Sequence, residues 1–327
     1  MPKIHRSEHI LKNKIPMNNK NKHIQKKSLL GSFVFFCFFA FSFPLHAQLL
    51  WKIEGNGLSQ PSYLFGTHHL IPVSFLENVP SIWRAFGETE TVIGEIVIYG
   101  IEASEKMMRA SMLPLGITID SLLTADDWKL VDAELRATMR IGLRELGLMH
   151  PTMINMLYTI ELYRKTTEVA EEIQLDTYFQ MLAMQLDKNV VGLETIEQQI
   201  ELLFGNKDLQ READLLVKTL RMRDEVVEKI KKLNKLYKAG KIEELVEMAK
   251  NQDTPLAMTD EELVKMNDNR NQAWMKILPD LMQASPSFIA VGALHLGGEN
   301  GLINLLRQQG FTVTAVQEAE TRRRNRR

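Results

Sequence analysis

The chain of 327 residues contains one cysteine, Cys37. No intramolecular disulfide can form, so the fold needs nothing from an oxidising compartment, and zinc–cysteine clusters are excluded by the same count. Cys37 lies inside residues 29–43, "LLGSFVFFCFFAFSF", an uncharged apolar run between the basic "KNKHIQKK" and the small-residue stretch "PLHAQ". That arrangement reads as a secretory signal over residues 1–47, cut after Ala47. The leading segment is long, and Met17 offers a second start that would give the signal a more ordinary one. The run is shorter than the roughly 20 residues a spanning helix needs. No other long apolar run follows, so no membrane span is expected after cleavage, and the mature protein is expected to be periplasmic or secreted. Cleavage removes Cys37, and thiolate catalysis with it.

Histidine is nearly as scarce. Of eight, four precede the cut, leaving His68, His69, His150 and His295. An excess of positive charge is also missing. The signal carries eight Lys/Arg and one Glu of the chain's 40 basic and 41 acidic residues, so the mature chain holds 32 against 40, a net charge of −8. That balance argues against nucleic acid as a partner. There is no repeat array and no low-complexity linker.

What is present alternates between two periodicities. Short apolar runs rich in β-branched residues read as strands: "LLWKIEG" (49–55), "SYLFG" (62–66), "TVIGEIVI" (91–98), "NVVGLE" (189–194), "SFIAVG" (287–292) and "FTVTAV" (311–316). The first pairs with the second through the turn-like "GNGLSQPS". Helical spacing fills most of the rest. Thr124 and Asp126 offer a cap for a helix to about Arg140, Pro151 opens another, and residues 208–238 form one charged amphipathic stretch whose charges solvate an outer face. Thr259 caps a further helix, and "GLINLLRQQG" ends at Gly310. Strands separated by helices predict an α/β fold: a mixed central sheet with flanking helices and a large helical insertion over about 100–285. One domain is expected over 48–318, with a disordered basic tail at 319–327.

Four of the runs end alike, in Gly66-Thr67-His68-His69, Gly94-Glu95, Gly192-Leu193-Glu194 and Gly292-Ala293-Leu294-His295. Ligands of open α/β sheets bind at the carboxyl ends of strands, so two imidazoles and two carboxylates would converge at one rim, with glycines permitting sharp exits and close backbone approach. Glu95 shares a predicted strand face with Ile93 and Val97, where an ionised carboxylate needs a cation or donors. Two histidines with carboxylates suit a divalent metal such as Zn or Mn, and the same atoms without metal suit general base and acid work on water. Each residue has a plainer reading as well. Glu95 can reach water at a strand end, and Glu194 can simply open the helix "TIEQQIELLF". Arg270 in "NDNRNQAW" can make a surface ion pair instead of holding a carboxylate or an oxyanion. His150 reads as a surface loop residue.

The pattern "YLFGTHHLIP … VIGEIVI … LDTYFQML … VVGLETIEQQ … NDNRNQAW … FIAVGALHLGGENGLINLLRQQGFTV" resembles the TraB/GumN/TIKI family, over about Leu49 to Val316. The family is related to erythromycin-esterase and haem-binding ChaN-type folds, and its animal members are membrane-anchored metalloproteases dependent on Mn or Co. The resemblance implies that His69 and His295 are the two Gly-x-x-His histidines and metal ligands. It implies that Glu95 is the acidic residue after the strand, Glu194 the "LET" glutamate and Arg270 the "RN" arginine. Asp176 matches an acidic position at a helix start, and Gln174-Leu175 stand before it where the family often has a glycine. Aligning the two Gly-x-x-His-Leu motifs pairs His69 with His295 and His68 with Leu294, so His68 is expected on the substrate side with Asp176.

These readings converge on a secreted or periplasmic metal-dependent hydrolase, a peptidase acting on a peptide or protein substrate. Mn, Co or Zn would be held by His69, His295 and Glu95, with Glu95, Glu194 and Arg270 as catalytic groups. The alternatives are a metal-independent esterase-like hydrolase in which a histidine base is paired with a glutamate, and a non-enzymatic binder of peptide or haem whose groove is lined by "LGLMHPTMINMLY" and "FQMLAMQ".

Overall fold

The computed structural model describes residues 48–97, 100–169, 173–205, 207–251 and 258–318. The expected signal, 1–47, and the basic tail, 319–327, lie outside them. Six strands form one mixed sheet: β1 (Leu50–Gly55), β2 (Ser62–Thr67), β3 (Thr91–Gly94), β4 (Asn189–Gly192), β5 (Ser287–Gly292) and β6 (Phe311–Ala315). Their order is β4-β3-β5-β2-β1-β6. β4, β3, β5 and β2 run parallel, while β1 is antiparallel to both β2 and β6. In register, Thr67 lies opposite Gly292, and Gly94 lies opposite both Ala290 and Gly192. The four expected glycine-terminated runs therefore end side by side on one rim.

Continuous apolar runs make strands here because helices cover both faces of the sheet. Every residue of β2 and β3 is buried. Phe65, Phe179 and Phe288 are fully buried and Phe86 nearly so. The rings of Phe179 and Phe288 lie 5.0 Å apart, and those of Phe86 and Phe288 5.3 Å apart edge to face. The helix Leu175–Gln185 packs on the β3 side of this cluster. The helical insertion builds a second apolar core, in which Val131, Leu135, Ile154, Tyr158 and Leu216 interlock from three helices.

Three sequence expectations change. The third strand stops at Gly94, so Glu95 lies beyond the ladder and not on a strand face with Ile93 and Val97. The charged stretch 208–238 breaks at Met222 into two helices, Leu209–Arg221 and Arg223–Lys238. His150 is buried, and its Nδ1 caps the helix Pro151–Thr167 by accepting from the Thr152 amide at 3.2 Å. A ring nitrogen thus serves where Ser or Asp is usual. Thr124 caps its helix as expected, accepting from the Asp127 amide. The strand-end glycines provide room, not unusual torsions, since none of the four has positive φ. A Cβ on Gly94 would sit 2.6 Å from the Gln180 amide nitrogen, which donates to the Ile96 carbonyl just past the strand.

Truncating Phe288 to alanine opens a cavity among three aromatic neighbours in the centre of the sheet. The expected loss is about 3–5 kcal/mol of unfolding free energy, read by urea denaturation; a loss under about 1 kcal/mol would contradict this packing.

Candidate active site

Arg270 is the centre of the rim. It sits on the short helix Asn269–Trp274, which follows a π-helical turn at Val264–Asp268. A guanidinium has five N–H donors, and here each has an acceptor. Nε donates to Glu194 Oε1 at 2.7 Å, and Nη2 donates to Glu95 Oε2 at 2.6 Å and Glu194 Oε2 at 3.0 Å. Nη1 faces His295 Nε2 at 3.0 Å and donates to the Met266 carbonyl at 3.3 Å. The Arg270 guanidinium stacks 4.9 Å from the ring of Trp274, which is fully buried and lies 4.4 Å from the His295 ring.

The two glutamates differ in what they have left. Glu194 also accepts from Trp274 Nε1 at 2.9 Å and from Gln199 Nε2 at 3.1 Å, so all four of its acceptor positions are filled. It does not line the cleft, and two of its four bonds hold Arg270. Glu95 accepts one bond from Arg270 and one from the Gly292 amide at 2.9 Å, keeps two acceptor positions, and lines the cleft. Burial opposes its ionisation, but His295 once protonated in acid, together with Arg270, His69 and the Gly292 amide, outweighs that and holds the carboxyl down to about 2.

His295 ends the 3-10 turn Ala293–His295 and is buried. Its Nδ1 lies 2.8 Å from Asn271 Oδ1, whose own amide donates to the carbonyls of His295 at 3.1 Å and Asn300 at 2.7 Å. Since Arg270 can only donate, Nε2 is the acceptor and Nδ1 carries the proton. Desolvation pushes this imidazole down to about 4, which keeps it neutral. Asn271 is fully buried beside Arg270 and went unremarked in the sequence; its only signal there was membership of the "RN" pair.

His68 and His69 follow the strand in a turn and both line the cleft, but they have different partners. His69 Nδ1 meets Asp176 Oδ2 at 2.8 Å, and 58 % of its side chain is exposed. The Asp176 carboxylate raises this imidazole to about 9, against the opposing effect of desolvation. Asp176 is buried, and its other oxygen accepts from the Thr67 hydroxyl at 2.5 Å. It does not line the cleft, so its place is behind His69 and not against a substrate. His68 packs between Tyr163 and Tyr237, with ring centroids at 5.5 and 5.2 Å, and its Nδ1 accepts from the Leu70 amide. Desolvation lowers it to about 4.

His69, Glu95, Arg270 and His295 line one cleft of about 430 Å³. Its outer walls are apolar, from Leu233, Leu245, Met248, Leu263 and Met266. The methionines that line it are thus not those of the two Met-rich stretches singled out in the sequence. The donor set also answers the expectation of a metal. Arg270 engages the lone pair of His295 Nε2, one oxygen of Glu95 and both oxygens of Glu194, and Asp176 holds His69 Nδ1. Among the described residues no group of three or more His, Asp or Glu is placed to hold an ion. As placed, these side chains hold a guanidinium.

Fold and site define a class: a mixed-sheet α/β protein with a histidine–carboxylate–arginine cluster at the carboxyl rim of its parallel strands. The model of the TraB/PrgY/gumN family matches residues 49–315, and the chain belongs to that family. A metalloprotease TIKI homolog from Amphimedon queenslandica is 22 % identical over 320 residues, covering 83 % of this chain. The chain spans 62 % of that relative's length. No solved structure matches the chain.

Replacing Arg270 by glutamine strands two carboxylates, at an expected cost of about 3–5 kcal/mol at neutral pH. In the wild type the depressed Glu95 contributes stability above its unfolded pKa that is lost as pH falls towards about 2. In the variant the stranded carboxyls favour protonation, so the gap between the two proteins should narrow as pH falls from 7 to 4. Denaturation curves at both pH values test this; a gap that is constant or widens would contradict the assignment.

Proposed function

We propose that the protein is a hydrolase of peptide bonds, with His69 as the acid and Glu95 as the base. One observation carries this reading: the two groups line the same apolar-walled cleft, the imidazole bonded to a carboxylate and the carboxylate bonded to a guanidinium. Environments that push two titrating groups apart on one cleft are the mark of an acid–base pair. Glu95, with two acceptor positions free, takes a proton from water as it adds to the scissile carbonyl. His69, fixed by Asp176, gives its proton to the leaving amine. Product release and exchange with solvent restore both. Arg270 keeps Glu95 ionised and in place; with every N–H already engaged, it is a positioning residue and not the oxyanion donor its sequence context implied. His295, locked by Asn271 and Arg270, completes that frame.

The peptide bond as substrate is carried over from the 22 % identical relative, whose printed name is that of a metalloprotease. The same name favours a second reading, a metal-dependent peptidase. The two readings part on metal content. Stoichiometric Mn, Co or Zn in purified protein, lost in His69→Ala, would replace the present reading with the metal-dependent one. Activity surviving exhaustive chelation would uphold it.

Activity is to be sought on a mixed peptide library. His69→Ala is expected to lower kcat/KM by about 10²–10⁴-fold, and His68→Leu to be tolerated. Because His69 acts protonated, kcat/KM should hold through neutral pH and fall as pH rises through about 9. Asp176→Asn should move that alkaline limb down towards the ordinary histidine value of about 6.5. A limb that stays near 9 in Asp176→Asn would remove His69 as the acid.

A further inference from the structure

The helix Arg223–Lys238 presents Lys229, Leu233 and Tyr237 to the cleft at four-residue spacing, one face of an α-helix. Tyr237 marks the floor, where its hydroxyl donates to the Gly66 carbonyl at 2.9 Å and its ring meets His68. Lys229 stands at the other end. The other lysines of this helix, Lys231, Lys232, Lys235 and Lys238, are exposed, whereas Lys229 is half-buried among apolar walls. Among the described residues no carboxylate pairs with it, although the same helix elsewhere pairs Lys231 with Glu228. Burial lowers its ammonium below the ordinary lysine value. A desolvated ammonium without a counter-ion is costly, and a bound carboxylate would offset that cost.

We propose that Lys229 is a specificity determinant that selects peptides carrying a carboxylate, flanked by apolar residues, a few positions from the bond at His69. The helical rise puts Lys229 about 12 Å along the axis from Tyr237. Extended peptide covers that span, from Lys229 to the cleft floor at Tyr237, in roughly three to four residues. The apolar walls take the side chains between. An acidic side chain and a free chain terminus present the same chemistry to an ammonium. This inference rests on the hydrolase reading for the position of the bond, but not for the binding of the carboxylate.

The test is binding first and cleavage second. Three fluorescent hexapeptide pools rich in Leu and Met are titrated against the full protein: one with an internal Asp or Glu and an amidated end, one neutral with a free carboxyl end, one neutral and amidated. Wild type should bind one or both carboxylate pools about tenfold or more tighter than the third, as a charge-assisted bond in a desolvated site implies. The preferred pool identifies the source of the carboxylate. Lys229→Met should erase the difference, and Lys229→Glu should reverse it, so that both carboxylate pools bind more weakly than the neutral amidated one. Equal binding of all three pools by wild type, no binding of any, or a preference for acids that persists in Lys229→Glu overturns the inference. Discrimination that depends on Lys229 without any cleavage leaves the inference standing and sinks the hydrolase reading. Cleavage without discrimination does the opposite.

Discussion

One guanidinium with five engaged donors organises the rim. Arg270 draws together a glutamate from the end of β3, another from the end of β4 and a histidine from the turn after β5. Three separate strand ends are thereby tied to one side chain on a helix from the far end of the insertion. Two carboxylates facing each other would repel and would each resist burial. The arginine removes both costs, and its planar fork suits several carboxylate oxygens in a way a lysine ammonium cannot. Glu194 has all four acceptor positions filled, two of them by that arginine and one each by Trp274 and Gln199. Glu95 has half of its own filled, and the other half faces the cleft.

The second constraint is the separation of His69 from that frame. It belongs to a different ion pair, with Asp176 on a different helix, and it keeps an exposed face. The two pairs pull in opposite directions: one strips the proton from a carboxyl, the other retains a proton on an imidazole. A single cleft then holds an acceptor and a donor at the same pH. Had both groups shared one partner, their protonation would have risen and fallen together.

The strand-end convergence was legible in the sequence because β-branched runs halted by glycine can be seen without knowing what lies beside them. Parallel pairing then required those ends to meet. Motif spacing pointed to His69 and His295, which line one cleft, and His68, expected on the substrate side, lines it as well. The partners were not legible. Nothing local to Arg270 says that its nitrogens reach residues 76 and 175 positions away, and Asn271 looks like any helix asparagine until the His295 backbone arrives against it. Asp176 was visible only as an acid at a helix start, open to a capping, orienting or substrate role; that Thr67 and His69 sit over it is a product of tertiary packing. His150 misled for a similar reason, since histidine before proline resembles a loop. Lys229 could not stand out in a helix of lysines, because the cleft that distinguishes it is made by other helices.

The π-helical turn at Val264–Asp268 carries a meaning for the lineage as well as for the fold. A π-turn inserts one residue into a helix, and everything beyond it is rotated by about 100° relative to uninterrupted α-helix. Arg270 and Asn271 follow that insertion directly. Deleting any one residue of the turn would swing both off the rim while leaving every site side chain in the gene. The spacing of this stretch is therefore as much an inherited character as its letters. A relative that retains both glutamates and both histidines but is one residue shorter here would have kept the parts and lost the arrangement.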